Sequence, residues 1–87
     1  MNKKRILILK NPLINVNGTI TPRPSTASDL AFVYGVNRRT FATWVKPIQL
    51  EIGNRISYYY TQKQVLLIFD LLGEPSTFDF EKYEMVA

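Results

Sequence analysis

The sequence predicts a small α+β domain of about three helices, a β-hairpin and an extended N-terminal segment. Three observations carry that prediction. The chain has 87 residues, of which 46% are hydrophobic, enough for one modest core and typical of a folded chain. Apolar residues recur at helical spacing in three stretches, each introduced by a capping residue. Before and between these stretches, alternating residues flank Asn-Gly and Gly-Asn pairs, the signature of tight reversals between strands.

From the N-terminus, residues 4–21 read as extended structure. "RILIL" is a β-prone run, and "LINVNGTIT" alternates around Asn17-Gly18. The two prolines of "TPRPST" then interrupt the chain. The expected organisation is an extended segment and proline linker over 1–24, a helical body over 25–75, and an acidic, aromatic tail over 76–87.

The first helix begins at Thr26, whose hydroxyl suits an N-cap, with Asp29 three residues on to complete a capping box. Ala27, Leu30, Ala31 and Tyr34 form one apolar stripe, and Gly35 ends the helix at C′. After the short turn "GVN", Asn37 caps a second helix over 37–46 whose stripe is Phe41, Trp44, Val45 and Ile48. Aromatic residues at that spacing read as core. The opposite face carries Arg39, Thr43 and Lys46, with Ala42 beside them and Arg38 on a flank.

Pro47 ends the second helix or turns the chain. In "IQLEIGNRISYYY", Ile48, Leu50 and Ile52 alternate, as do Ile56, Tyr58 and Tyr60, around Gly53-Asn54. The expected structure is a hairpin, with a short helix after Pro47 as the alternative for its first arm. On that hairpin Tyr58 and Tyr60 face inward, while Arg55, Ser57 and Tyr59 share the outer face. Thr61 caps a third helix with Gln64 at N3, and "VLLIFDLL" carries it to Gly73 with Pro75 just beyond. The tail, acidic with interspersed aromatics, reads as loosely ordered.

Composition excludes several functions. With no cysteine and no histidine, the chain lacks disulfides, thiolate metal sites and the commonest general base. The carboxylates cluster in the tail without a nucleophile or base beside them, so neither enzymatic activity nor a metal or cofactor is expected. No apolar run is long enough to span a bilayer, and the four-residue apolar stretch after "NKKR" is too short for a signal core, which predicts a cytoplasmic protein. Charge is unevenly distributed. Residues 1–69 hold ten Lys/Arg against Asp29 and Glu51, a balance of +8, whereas residues 70–87 hold Lys82 against five carboxylates, a balance of −4. A basic body suits an anionic polymer.

Two short helices joined by a tight glycine-containing turn make a helix-turn-helix unit, whose second helix enters the DNA major groove. Arg38 and Arg39 stand at the helix start, where the macrodipole disfavours cations. That placement is poor for an isolated helix and apt for one aimed at phosphates or guanine edges. Thr43 can approach bases, Lys46 can neutralise a phosphate, and Arg55 and Tyr59 lie on the outer face of the hairpin. Lys63, in the first turn of the third helix, is the remaining candidate phosphate contact.

The stretch "DLAFVYGVNRRTFATWV…YYYTQKQVLLIFDLLG", residues 29–73, resembles the winged helix-turn-helix of MerR-type regulators and phage excisionases. The elements that carry the resemblance are Leu30-Ala31, Gly35-Val36, Thr40-Phe41 with Trp44, and Tyr60-Thr61. The resemblance implies a compact winged helix-turn-helix fold and binding of double-stranded DNA through Arg38, Arg39, Thr43 and the wing. It implies a transcriptional regulator or a recombination directionality factor of a phage or mobile element. The chain departs from the pattern in having only Arg55 as a wing arginine. It also lacks a long coiled coil or effector domain, so no small-molecule effector is expected. One such domain covers a short half-site, so a homodimer or cooperative assembly is expected, through the N-terminal segment or the third helix. The competing expectation is a protein–protein interaction module on the same scaffold, without a DNA target. A third has the acidic tail fold over the basic face and mask it.

Overall fold

The computed structural model describes residues 8–55 and 57–80. The N-terminal "NKKR", the first residues of "RILIL", Ile56 of the hairpin and the last part of the tail lie outside the described residues. The fold is α+β. In chain order it runs β1 (Ser25–Thr26), α1 (Ala27–Val33), α2 (Arg38–Val45), a 3-10 turn (Lys46–Ile48), α3 (Gln49–Ile52), β2 (Tyr59–Tyr60) and α4 (Gln62–Leu72).

The helix boundaries follow the local chemistry. The Thr26 hydroxyl accepts from the Asp29 amide and the Asp29 carboxylate accepts from the Thr26 amide, both at 3.1 Å, closing a capping box on α1. At the other end the Val36 amide donates to the Ala31 carbonyl and the Gly35 amide to the Phe32 carbonyl, each at 3.0 Å. This is a Schellman motif, and it requires the positive φ of +72° that Gly35 supplies. The chain leaves α1 directly into the Asn37 cap of α2, where the Asn37 Oδ1 accepts from the Thr40 amide at 2.8 Å. α1 and α2 therefore pack as a helix-turn-helix pair. A second capping box, between Thr61 and Gln64, opens α4.

The two-stranded sheet is antiparallel, but its strands are not the two arms expected around Gly53-Asn54. Tyr60 pairs with Ser25 and Tyr59 with Thr26, which sets the start of α1 beside the start of α4. The first expected arm is helical. Pro47 occupies the first turn of the 3-10 segment, where its fixed φ and missing amide favour a helical start, and α3 continues it to Ile52. On this path Leu50 is 99% exposed while Ile52 is 6% exposed, so the two residues do not share a strand face. The second arm is broken by Ser57, a non-glycine residue at φ +58°, which interrupts the alternation expected through 55–60. Tyr60 is buried as expected, and Tyr58 is exposed instead of packed.

One core joins the helices. Leu30, Phe41, Val65 and Ile68 are almost wholly buried in it, with Val45, Ile52 and Phe69 around them. Trp44, expected in the core beside Phe41, sits at its margin, 40% exposed and edge-on to the Tyr34 ring at 6.0 Å. Leu13, from the segment expected to be extended, is fully buried in the same core. From residue 8 onward that segment is a string of turns. The Asn11 amide donates to the Ile8 carbonyl, the Asn11 side chain bonds both the Leu13 amide and the Asp29 carbonyl, and Asn17-Gly18 forms a tight reversal with a single Ile14–Ile20 bridge. A smaller cluster, Ile8, Ile14 and Phe80, lies beside it with Phe78 packed on its edge. The tail is thus docked on the N-terminal segment as far as residue 80.

Candidate nucleic-acid interface

Helix α2 presents two different outward surfaces. At about 100° per residue, Arg39 and Thr43 project away from Phe41 and Val45, which face the core. Arg38, Ala42 and Lys46 form the next stripe round the helix and border an open groove. Asn54, Arg55, Ser57 and Tyr60 also line that groove.

The main chain at Ile52 and Asn54 is held in place by α4. Gln64 closes the capping box through its Oε1, and its Nε2 donates to the Ile52 carbonyl at 3.2 Å and the Asn54 carbonyl at 2.9 Å. One amide side chain therefore starts a helix and pins the loop that carries Arg55. The Arg55 guanidinium lies over the Tyr60 ring, 5.3 Å from its centroid, a cation–π contact that aims the charge into the groove. The alternation had placed Arg55 and Tyr60 on opposite faces. The positive φ at Ser57 and the helical course of 46–52 bring them together instead.

Three cations, Arg38, Lys46 and Arg55, thus border one groove whose lining, among the described residues, contains no carboxylate. The side chains of Arg38, Arg39 and Lys46 have no hydrogen-bond or ion-pair partner among the described residues, so their charge is available to a ligand. Arg39 and Thr43 flank the groove on the solvent side of α2. The Thr43 hydroxyl donates to the Arg39 carbonyl at 3.1 Å, which commits its hydrogen to the helix. Tyr59 and Lys63 are exposed but stand outside the groove, Tyr59 on β2 and Lys63 in the first turn of α4.

Gln64 supports the groove without lining it, and Asn54 lines it, neither role being readable in the sequence. Gln64 was expected only as a cap, and its bonds to the loop lie 10 and 12 residues away, beyond any local pattern. Asn54, expected only as a turn residue, lines the groove. The described part of the tail, residues 76–80, contributes nothing to the groove lining, so that part does not mask it as one reading had expected. Among the described residues no group of His, Cys, Asp or Glu is arranged to hold a metal ion, and no helix is long and apolar enough to cross a membrane. Compared with protein-family models, curated proteins and solved structures, the chain matches none of them.

Proposed function

We propose that this chain is a cytoplasmic, sequence-specific DNA-binding protein that inserts α2 into the major groove and acts as a transcriptional regulator or recombination directionality factor. The observation that carries the reading is the convergence of Arg38, Lys46 and Arg55 on one groove beside the second helix of a helix-turn-helix pair, with no carboxylate in its lining among the described residues. A phosphodiester strand is the ligand this suits, because three cations together attract a polyanion and gain further from counterion release. Arg39 and Thr43, on the side of α2 facing solvent, are placed for base edges: Arg39 for guanine O6 and N7, the Thr43 methyl for a thymine methyl. Tyr59 and Lys63 sit outside the groove, and this footprint does not use them.

The test is fluorescence anisotropy with a mixed-sequence duplex at two salt concentrations, comparing wild type with Arg38→Ala/Arg39→Ala. Circular dichroism confirms that both remain folded. Salt-sensitive binding by wild type that collapses in the double variant supports the reading. A folded wild type that does not bind at low salt overturns it and moves the search to a protein partner. Within the groove, Arg38→Ala, Lys46→Ala and Arg55→Ala are each expected to lower affinity on every sequence and to reduce the salt slope by about 1. Arg39→Ala is expected to flatten the preference between sequences.

A further inference from the structure

Helix α4 carries only two charges, Lys63 in its first turn and Asp70 in its last turn, and both are exposed. Each stands at the wrong end for its own helix, since the macrodipole favours anions near the N-terminus and cations near the C-terminus. Seven residues apart, they are about 10 Å distant along the axis and within about 20° of the same line, too far apart to pair with each other. Neither has a partner among the described residues.

Between these charges the helix surface is apolar. Val65, Ile68 and Phe69 turn into the core, and the opposite side presents Leu66, 48% exposed, with Leu67 half-buried beside it and Leu71, 39% exposed, a turn further on. A helix face bearing one cation, one anion and leucines midway between them is self-complementary under a two-fold axis. An antiparallel copy whose axis passes between Leu66 and Leu67 sets Lys63 opposite the second copy's Asp70, and Asp70 opposite its Lys63. Leu66 and Leu67 then meet their counterparts at the centre. The same arrangement places each misplaced charge at the favourable end of the neighbouring helix dipole.

We infer that the outward face of α4 is a homodimer interface occupied by the α4 of a second copy in antiparallel orientation. The occupant is argued from this charge complementarity. Eleven residues span only about 16 Å, so the contact is small and the dimer a weak one, populated at high protein concentration. The inference assigns Lys63 to the partner subunit, and it stands independently of what the α2 groove binds.

Sedimentation equilibrium over a rising protein concentration, without DNA, tests it with four proteins: wild type, Lys63→Asp, Asp70→Lys and the double reversal. All the changed side chains are exposed, and circular dichroism checks that each variant keeps its helix content. Wild type is expected to self-associate. Each single reversal creates two like-charge contacts and is expected to weaken association by roughly tenfold. The double reversal restores both pairs and returns association to the wild-type range, as does an equimolar mixture of the two single variants. A wild type that stays monomeric throughout, single reversals that associate like wild type, or a double reversal that remains as weak as the singles would each overturn the inference.

Discussion

The main-chain amide of Phe78 donates to the carbonyl of Gly18 at 2.7 Å, and the Phe78 carbonyl oxygen occupies the space where a Cβ on Gly18 would stand. Two segments 60 residues apart in sequence are joined backbone to backbone at this point. The contact is flanked by Phe78 stacked on Phe32 at 5.6 Å and edge-on to Phe80 at 5.2 Å.

Gly18→Ala is therefore expected to be more costly than Gly35→Ala. Both glycines have positive φ, +86° and +72°, so both substitutions incur backbone strain of about 1–2 kcal/mol. Gly35 has nothing within 4 Å of its missing Cβ, whereas Gly18 has the Phe78 carbonyl, and the clash adds to the strain. Urea denaturation should rank Gly18→Ala below Gly35→Ala in stability. Equal losses would mean that the tail does not depend on the Gly18 contact.

Gln64→Glu separates the two jobs of one side chain. A carboxylate still accepts from the Thr61 amide, so the cap survives. The donors to the Ile52 and Asn54 carbonyls are lost, and a negative charge faces two carbonyl oxygens. The expected cost is about 1–3 kcal/mol. Hydrogen exchange should show the loss concentrated in loop 52–55 while α4 keeps its protection.

Leu50→Ser and Ile52→Ala distinguish the helical course of 49–52 from the strand that the alternation suggests. With Leu50 fully in solvent, Leu50→Ser should change stability by no more than about 0.5 kcal/mol. Ile52→Ala removes a buried side chain and should cost about 2 kcal/mol or more. Similar costs for both would place them on one buried face and refute α3.

Tyr34 makes stability sensitive to alkaline pH. Its hydroxyl donates to the Gly73 carbonyl at 2.6 Å, and its pKa is pushed up from 10.0 to about 12, chiefly by burial and secondarily by the negative charge of Glu74. The folded state holds the neutral phenol more tightly than the unfolded state. Its contribution is therefore complete below pH 10 and declines as the pH rises from there to about 12. Tyr34→Phe should be less stable than wild type at neutral pH, where the hydrogen bond is lost, and should show a shallower decline above pH 10. Near-ultraviolet tyrosinate absorbance should lose a component titrating near pH 12 in this variant.

Much of the fold is legible in short windows of sequence because the interactions that determine it span four residues or fewer. Thr26 with Asp29, Asn37 with Thr40, and Thr61 with Gln64 are caps whose donors and acceptors are neighbours in the chain. Gly35 ends α1 because its own φ requires a residue without a side chain. The basic character of α2 is legible for the same reason, since helical periodicity places Arg39 and Thr43 outward and Phe41 inward.

The stretch 48–60 is where short-range reading fails. Over five residues, Ile48, Leu50 and Ile52 fit alternation, yet Pro47 starts a helical turn that rotates Leu50 into water. Ser57 at positive φ then redirects Tyr58 outward, a conformation no propensity of serine announces.

By itself the sequence determined where α1, α2 and α4 start and stop, which faces of α1 and α2 are apolar, and that the body of the chain is basic, because these depend on local bonds and on composition. Only the tertiary structure decided that β2 pairs with Ser25–Thr26, that Leu13 completes the core, that the tail seats on Gly18, and that Arg55, held by Tyr60 and by the loop bonds of Gln64, joins Arg38 and Lys46 at one groove. Those outcomes rest on contacts between residues far apart in the chain, whose partners are chosen by competition for buried space and unpaired backbone groups across the whole fold.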